Sequence, residues 1–271
     1  MHLVELKYNK KRIEKQVPAS WNELSGKQLV RVIAALLTIR DKHTLQLTLI
    51  QILLQVKSSF LNLCTVEQKI YLAQLTQFIT KGGLLTKQLL PVISLGKWRR
   101  QKYYGPASSF RNLLFLEFIF SDTYFIAWSK KQNEELLNKF IACLYRERTW
   151  FHFIKKRFSS YNGDNRRAFN SHLVEVRAHK LAQLPLEVKQ SIVLWYRGCR
   201  EELEKDYPRV FSGDNQQAAE RTGWDGVLRN MAGSVHQLEA TGQASARNVF
   251  ALMEDRLYYA ELAERKNKQA S

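Results

Sequence analysis

Glu117 is the side chain in this sequence whose surroundings are most suited to unusual chemistry. It is the charged residue inside the apolar run from Leu113 to Phe120. A carboxyl group buried in such a run must either pair with a cation or stay protonated, and a protonated carboxyl could serve as an acid–base catalyst. We predict a structural ion pair instead, with Arg146 at the end of the next predicted helix as the partner.

Other catalytic signatures are missing from the sequence. It contains no GxxxxGK[ST] phosphate loop, no GxGxxG after a strand, no HExxH and no GxSxG. The histidines show no metal-ligand spacing, since even His172 and His179 lie about two helical turns apart. Cys64, Cys143 and Cys199 are too scattered for a disulfide framework or a zinc knuckle. The sequence therefore predicts a protein of the reducing cytoplasm that is not an enzyme and has no metal or cofactor.

Two clusters, at 97–104 and 155–167, mix basic with aromatic side chains. Cations that neutralise phosphates beside rings that stack on bases are the ingredients of single-stranded nucleic-acid binding. Such runs are equally typical of amphipathic edges whose rings enter the core while their cations face water. The residues of a nucleic-acid surface would be Trp98, Arg99, Arg100, Tyr103, Lys155, Lys156, Arg157, Arg166 and Arg167.

The net charge of +17 is unevenly distributed. Residues 1–180 carry 30 basic and 12 acidic side chains, whereas residues 181–271 carry 12 and 13. A basic surplus of this size favours a polyanionic partner. The most apolar stretch, 113–128, is too short and too polar to cross a bilayer, and no apolar signal follows the first residue, so we expect no membrane partner.

The spacing of apolar residues predicts the elements that position these groups. Alternation over 3–17 predicts a β-hairpin, and Ser20 with Glu23 has the spacing of a capping box that opens the first helix. Thr65 with Gln68 has the same spacing. Beyond the hairpin, helical periodicity dominates, and Gly and Pro are too few for an all-β fold. We predict a mainly α-helical protein: a multi-helix, bundle-like body with a short N-terminal β-hairpin and a C-terminal helical pair.

A polar stretch at 211–222 predicts a linker between a basic body, 1–210, and the C-terminal pair, 223–271. Two short helices bury little by themselves, so their apolar stripes must dock on the body, on a second copy or on a partner helix. Docking on a second copy or on a partner helix would make this pair a partner-binding surface, whereas docking on the body would make it part of the core. The partner-binding residues would be Trp224, Leu228, Met231, Phe250 and Met253.

The same segment carries a resemblance to a known group of proteins. The runs GWDGVLRNMA at 223–232 and RNVFALM at 247–253 resemble the closing segment of tail assembly chaperone-like proteins of tailed phages and prophages. The runs PASWNEL at 18–24 and ACLYR at 142–146 are similar to phage morphogenesis proteins in general. The resemblance implies a protein of the host cytoplasm that binds a long helical tail component without catalysis, and it does not account for the positive charge.

The sequence thus leaves two functions open. The preferred one is a non-catalytic, protein-binding assembly factor of the phage-tail type, whose partner is another protein or a second copy. The alternative is a nucleic-acid-binding accessory protein that uses the basic aromatic clusters. Salt dependence separates the two, because binding to phosphates weakens steeply as salt rises.

Overall fold

The computed structural model describes residues 1–8, 11–96, 101–149, 164–212, 223–224 and 226–270, and the fold is mainly α-helical as predicted. Contacts divide the chain into two compact units. The first comprises Met1–Leu89 and Pro185–Gly198, and the second comprises Leu90–Leu184 and Cys199–Ser271. The C-terminal helices thus belong to the same compact unit as the middle of the chain.

The first unit begins with the predicted hairpin, in which β1 (His2–Tyr8) pairs antiparallel with β2 (Lys11–Val17). Helices follow as the apolar periodicity predicts, and the predicted helix after Thr65 is divided into two shorter ones. The helices are α1 (Gly26–Thr38), α2 (Lys42–Leu54), α3 (Ser58–Asn62), α4 (Val66–Gln74) and α5 (Gln77–Lys81). The first part of a later helix, Leu186–Asp206, also belongs to this unit.

The N-cap of helix α1 lies five residues later than predicted, at Ser25 instead of Ser20. The predicted Ser20–Glu23 capping box is wrong: Ser20 makes no capping bond, and the Glu23 carboxylate instead accepts a hydrogen bond from Ala19 N–H at 2.7 Å. Ser25 and Gln28 form the capping box, with the Gln28 N–H donating to Ser25 Oγ at 3.2 Å. The same Ser/Thr-x-x-Gln/Glu spacing occurs at both sites, so spacing alone did not choose between them. The predicted box of Thr65 and Gln68 is confirmed.

The last carbonyls of α2, which have no partner within the helix, receive side chains from other elements. Gln28 Nε2 donates to the Ile52 and Leu53 carbonyls at 3.3 Å, and Lys15 Nζ donates to the Leu54 carbonyl at 2.8 Å. Around these bonds lies an apolar core from the hairpin and the first two helices. Its buried members include Val17, Leu29, Val32, Leu49 and Leu53.

Gly198 lies directly against the backbone of Leu85 in the first unit. Trp195 Nε1 donates to the Thr86 carbonyl at 3.1 Å and holds the helix against residues 85–86. A Cβ added at Gly198 would lie 2.4 Å from the Leu85 carbonyl oxygen. Because that oxygen belongs to the backbone, it cannot rotate aside as a flexible side chain could.

The second unit is built around two helices that pack on each other, α6 (Phe115–Lys131) and α7 (Glu134–Leu144). The stretch before them contains a hairpin of β3 (Val92–Leu95) and β4 (Gln101–Tyr104). After them come α8 (Val174–Leu181), α9 (Leu186–Asp206, from Cys199 onward), a helical stretch at 226–232, α10 (Leu238–Gln243) and α11 (Ala246–Ala270).

The start of α11 is attached to the start of α6. Phe115 N–H donates to the Ala244 carbonyl and Ala246 N–H donates to the Leu113 carbonyl, both at 2.9 Å. Phe250 is fully buried, and its ring lies 4.9 Å from that of Phe118, centroid to centroid. The sequence left open whether the C-terminal helices dock on the body, on a second copy or on a partner helix. The first half of α11 docks on the body and forms part of its core. The predicted linker, 211–222, lies mostly outside the described residues.

We expect Gly198→Ala to destabilise the protein. Alanine gains about 1 kcal/mol over glycine in a helix interior, but the clash with the Leu85 carbonyl forces a backbone shift that costs about 1–3 kcal/mol. Urea unfolding followed by circular dichroism measures the net loss of stability. Arg197→Ala, at the exposed neighbouring position, is the control and should change the unfolding free energy little. Equal midpoints for the two variants would contradict the expectation.

Candidate functional site

Glu117 is fully buried and ion-paired, as predicted. Arg146 Nη2 donates to Glu117 Oε2 at 3.0 Å, which confirms the predicted partner. Arg166 also donates to both carboxylate oxygens, through Nη2 to Oε2 at 3.1 Å and through Nη1 to Oε1. Because the Glu117 carboxylate is fully buried and enclosed by two guanidinium groups, a substrate has no access to it. The structure therefore gives Glu117 a structural role.

Asp164 completes this buried ionic cluster, which we define as Glu117, Arg146, Asp164 and Arg166. Its carboxylate accepts from Arg166 Nε and Nη2, both at 2.9 Å. Burial lowers the pKa of Arg146 to about 10, against the attraction of Glu117. Burial also disfavours the charge of Arg166, but the Glu117 and Asp164 carboxylates outweigh it and raise the pKa of that guanidinium. Both arginines therefore remain charged near neutral pH.

The cysteines are free and poorly placed for nucleophilic chemistry. Burial raises the pKa of the Cys143 and Cys199 thiols far above the usual range, and it also raises the pKa of the half-buried Cys64 thiol. A reactive cysteine needs the opposite shift. Within the described part of the chain, no three His, Cys, Asp or Glu side chains converge as metal ligands would.

A pocket of about 330 Å³ in the second unit is a candidate for binding, and we call it the Trp224 pocket. This volume is at the lower end of the range for ligand sites, so it suits a group the size of one or two side chains. Apolar side chains form the walls and basic ones the rim. The lining residues are Thr123, Ile126, Ala127, Lys130, Lys131, Arg200, Val210, Phe211, Gly223 and Trp224.

The indole of Trp224 is held in place by a buried carboxylate. Trp224 Nε1 donates to Asp122 Oδ2 at 2.9 Å, and Arg200 Nε donates to Asp122 Oδ1 at 2.9 Å. Asp122 itself is fully buried. The indole also contacts the rings of Phe118 and Phe250 edge-on, at centroid distances of 5.2 and 5.7 Å. These contacts fix the aromatic wall before any ligand arrives.

The rim of the pocket is positively charged. Lys130 and Lys131 are exposed in the last turn of α6, where the helix dipole favours cations, and neither forms an ion pair with a described residue. Arg200 differs, because it pairs with Asp122 and with Glu204. No Asp or Glu is found among the described residues that line the pocket.

The predicted partner-binding residues are divided between pocket and core. Trp224 lines the pocket, whereas Leu228 and Phe250 are buried and Met231 and Met253 are half-buried. The residues that complete the pocket were not predicted from the sequence, because they come from distant parts of the chain. The adjacent lysines after an apolar helix were the available signal. The missed residues are Asp122, Lys130, Lys131, Arg200, Val210 and Phe211.

The predicted nucleic-acid residues are also divided. Tyr103 and Arg166 are buried, so as placed they cannot form part of a nucleic-acid surface, whereas Arg167 is exposed. Burial, together with the nearby Glu147 carboxylate, raises the pKa of Tyr103 to about 12. Arg166 is drawn inward because Glu117 and Asp164 neutralise it. The remaining candidates, Trp98, Arg99, Arg100, Lys155, Lys156 and Arg157, lie outside the described residues.

Backbone pairing nevertheless brings the described parts of the two basic clusters together. Tyr104 and Arg146 form an antiparallel bridge, with N–H···O distances of 2.7 and 3.0 Å. Arg148 and Arg166 also form an antiparallel bridge, through hydrogen bonds of their neighbours: Arg167 N–H donates to the Glu147 carbonyl and Thr149 N–H to the Asn165 carbonyl. The Arg148 guanidinium lies 5.7 Å from the centre of the Tyr104 ring. Segments more than forty residues apart in sequence thus become neighbours in one layer.

We expect Glu117→Gln to lower the free energy of unfolding by about 3–5 kcal/mol, because it leaves the buried arginines one charge short. Urea unfolding measures this change. Glu175→Gln is the matched control: its carboxylate is exposed and pairs with Lys139 at 3.0 Å, an arrangement worth about 0–1 kcal/mol. Comparable destabilisation of both variants would contradict a special role for the buried cluster.

Comparisons of the chain with protein-family models, with curated proteins and with solved structures give no match. None of the helices in the described ranges combines the length and apolar character needed to cross a membrane. A function must therefore be inferred from the geometry of the Trp224 pocket and from the sequence itself.

Proposed function

We propose that this protein is a non-catalytic assembly factor that binds another protein through the Trp224 pocket. The observation that carries the proposal is a pocket whose aromatic wall is fixed by buried contacts and whose rim is cationic. Rigid aromatic side chains in pockets are typical anchors of protein interfaces, because they contribute contact area with little loss of conformational freedom. The pocket also has no catalytic group among its described lining residues.

The resemblance to tail assembly chaperone-like proteins supports the same proposal. The tryptophan that opens the resembling run at 223–232 is the residue that lines the pocket, and the rest of the run contributes Leu228 and Ala232 to the core. We therefore propose a phage or prophage protein of the host cytoplasm whose partner is a helical tail component. In this proposal the motif positions a binding wall and stabilises the unit that holds it.

Filling the pocket should abolish binding of the partner. Ala127 lines the pocket, and Ala127→Phe would occupy its volume without removing a buried group. Co-expression with the long helical tail protein of the same phage or prophage, followed by co-purification, tests this. We expect the affinity to fall by at least about tenfold, or about 1.4 kcal/mol.

Ala263→Phe is the control, since Ala263 is exposed on α11 and is not among the pocket residues. Circular dichroism checks that both variants fold. Unchanged capture by a folded Ala127→Phe variant would end the proposal that this pocket binds the partner.

The second candidate function, nucleic-acid binding, is favoured by the pairing of the two basic clusters. Lys102 and Arg148 are exposed in the layer that contains the Tyr104–Arg146 bridge, and Arg167 is exposed in the adjoining segment. Trp98, Arg99 and Arg100 precede β4 in the sequence and lie outside the described residues. A concentration of cations of this kind would suit a polyanion, and it would account for the basic surplus of residues 1–180.

If this second function operates, the protein should retard single-stranded RNA or DNA in a gel at about 50 mM salt and release it toward about 200 mM. Changing Lys102, Arg148 and Arg167 to Ala should flatten the logarithmic salt slope by about 0.7 for each phosphate that is no longer neutralised. Arg265→Ala and Lys266→Ala, on exposed α11 positions, should leave the slope unchanged. Failure to retard any nucleic acid at the lower salt would remove this function and leave the first intact.

A further inference from the structure

We infer that the Trp224 pocket accepts a partner segment in which one large apolar side chain is flanked by carboxylates. The inference rests on the proposed function and adds the chemistry of the partner. Two features carry it: an interior whose described walls are mostly apolar, and a rim that attracts negative charge.

The interior favours an apolar guest, because the described side chains that form its walls are mostly apolar. Asp122 lies behind the indole, where it accepts hydrogen bonds from Trp224 Nε1 and Arg200 Nε. Apart from the basic residues and the occupied Trp224 N–H, only Thr123 offers a polar side chain among the described lining residues. A polar ligand group that entered would therefore lose its water and gain few hydrogen bonds, which is costly. The apolar walls offer contact to an aliphatic or aromatic side chain instead. A volume of about 330 Å³ limits the guest to about one such side chain and its immediate neighbours.

The rim selects for acidic neighbours of that side chain. Lys130 and Lys131 stand exposed beside the opening and carry the positive charge of the rim, whereas the charge of Arg200 is balanced by its pairs with Asp122 and Glu204. The helix dipole explains why lysines are stable at the end of α6, but it does not neutralise them. With no acidic residue among the described lining residues, a partner with carboxylates on either side of its apolar anchor is complementary in charge.

Other occupants fit this chemistry less well. Residues 213–222, which join Ser212 to Gly223, contain no apolar side chain larger than alanine. A second copy could offer Tyr259 beside Asp255 on α11, but two copies that each carry a net charge of +17 repel one another. An acidic segment of a different protein is attracted by that charge.

Direct binding of synthetic peptides to the full-length protein tests the inference. The probe is a fluorescein-labelled helical peptide with one leucine between glutamates, and its matched forms carry lysines for glutamates or alanine for leucine. Fluorescence anisotropy at about 50 mM salt should give binding of the acidic leucine peptide at least about tenfold tighter than that of either matched form. Equal affinities for the acidic and basic peptides would overturn the inference.

Charge reversal at the rim provides the second measurement. The double variant Lys130→Glu, Lys131→Glu should lose affinity for the acidic peptide by at least about tenfold and gain affinity for the basic one. Lys266→Glu with Lys268→Glu, at exposed positions on α11, is the control and should leave the preference unchanged. Because the exchanged lysines are exposed, the variant should fold, and a gain for the basic peptide cannot arise from misfolding.

The outcomes separate this inference from the proposed function. If Ala127→Phe blocks capture of the tail protein but rim reversal changes neither capture nor peptide preference, the pocket binds its partner and the inference of an acidic segment is wrong. If Ala127→Phe leaves capture intact, the proposed function itself is wrong. A dimer in sedimentation experiments that dissociates in the Ala127→Phe variant would identify a second copy as the occupant and overturn the inference.

Discussion

The second unit depends on the burial of carboxylates inside an apolar helix. Glu117 and Asp122 both lie on α6, and both are fully buried. Each must find a cation, since an isolated buried charge is costly, and these cations come from segments far away in sequence. Glu117 recruits Arg146 and Arg166, and Asp122 recruits Arg200. Apolar contacts alone would let neighbouring segments slide along α6, whereas these directional bonds specify where each segment sits.

The two carboxylates lead to different results. At Glu117, the two arginines come from adjoining extended segments. Together with Asp164 they form a cluster in which two carboxylates balance two guanidinium groups inside the protein. At Asp122, the second hydrogen-bond partner is the indole of Trp224, whose ring forms a pocket wall. Both buried carboxylates need hydrogen-bond partners. The partners of Glu117 stabilise the core, and the partners of Asp122 orient the wall of the Trp224 pocket.

The distribution of charge follows from this arrangement. Some arginines form ion pairs inside the unit instead of lying on its surface. Arg166 pairs with Glu117 and Asp164, and Arg177 pairs with Glu147. Lysines are the cations that remain exposed at the Trp224 pocket. A count of basic residues therefore overstates the charge available to a partner, and the identity of the residue matters: the planar guanidinium suits buried pairing, and the ammonium stays in water.

The sequence by itself determined the helical class, the N-terminal hairpin and the burial of Glu117 against Arg146, because periodicity, alternation and a lone charge in an apolar run are local signals. It did not determine which Ser-x-x-Gln/Glu box starts α1, nor the β3–β4 hairpin, whose strands are four residues each. Only the tertiary structure decided that Arg166 points inward, that Phe250 completes a core and that Trp224 meets Lys130, Lys131 and Phe211 around one pocket. The physical reason is the same in each case: these side chains are placed by partners distant along the chain, and the favourable interaction exists only after the backbone between them has folded.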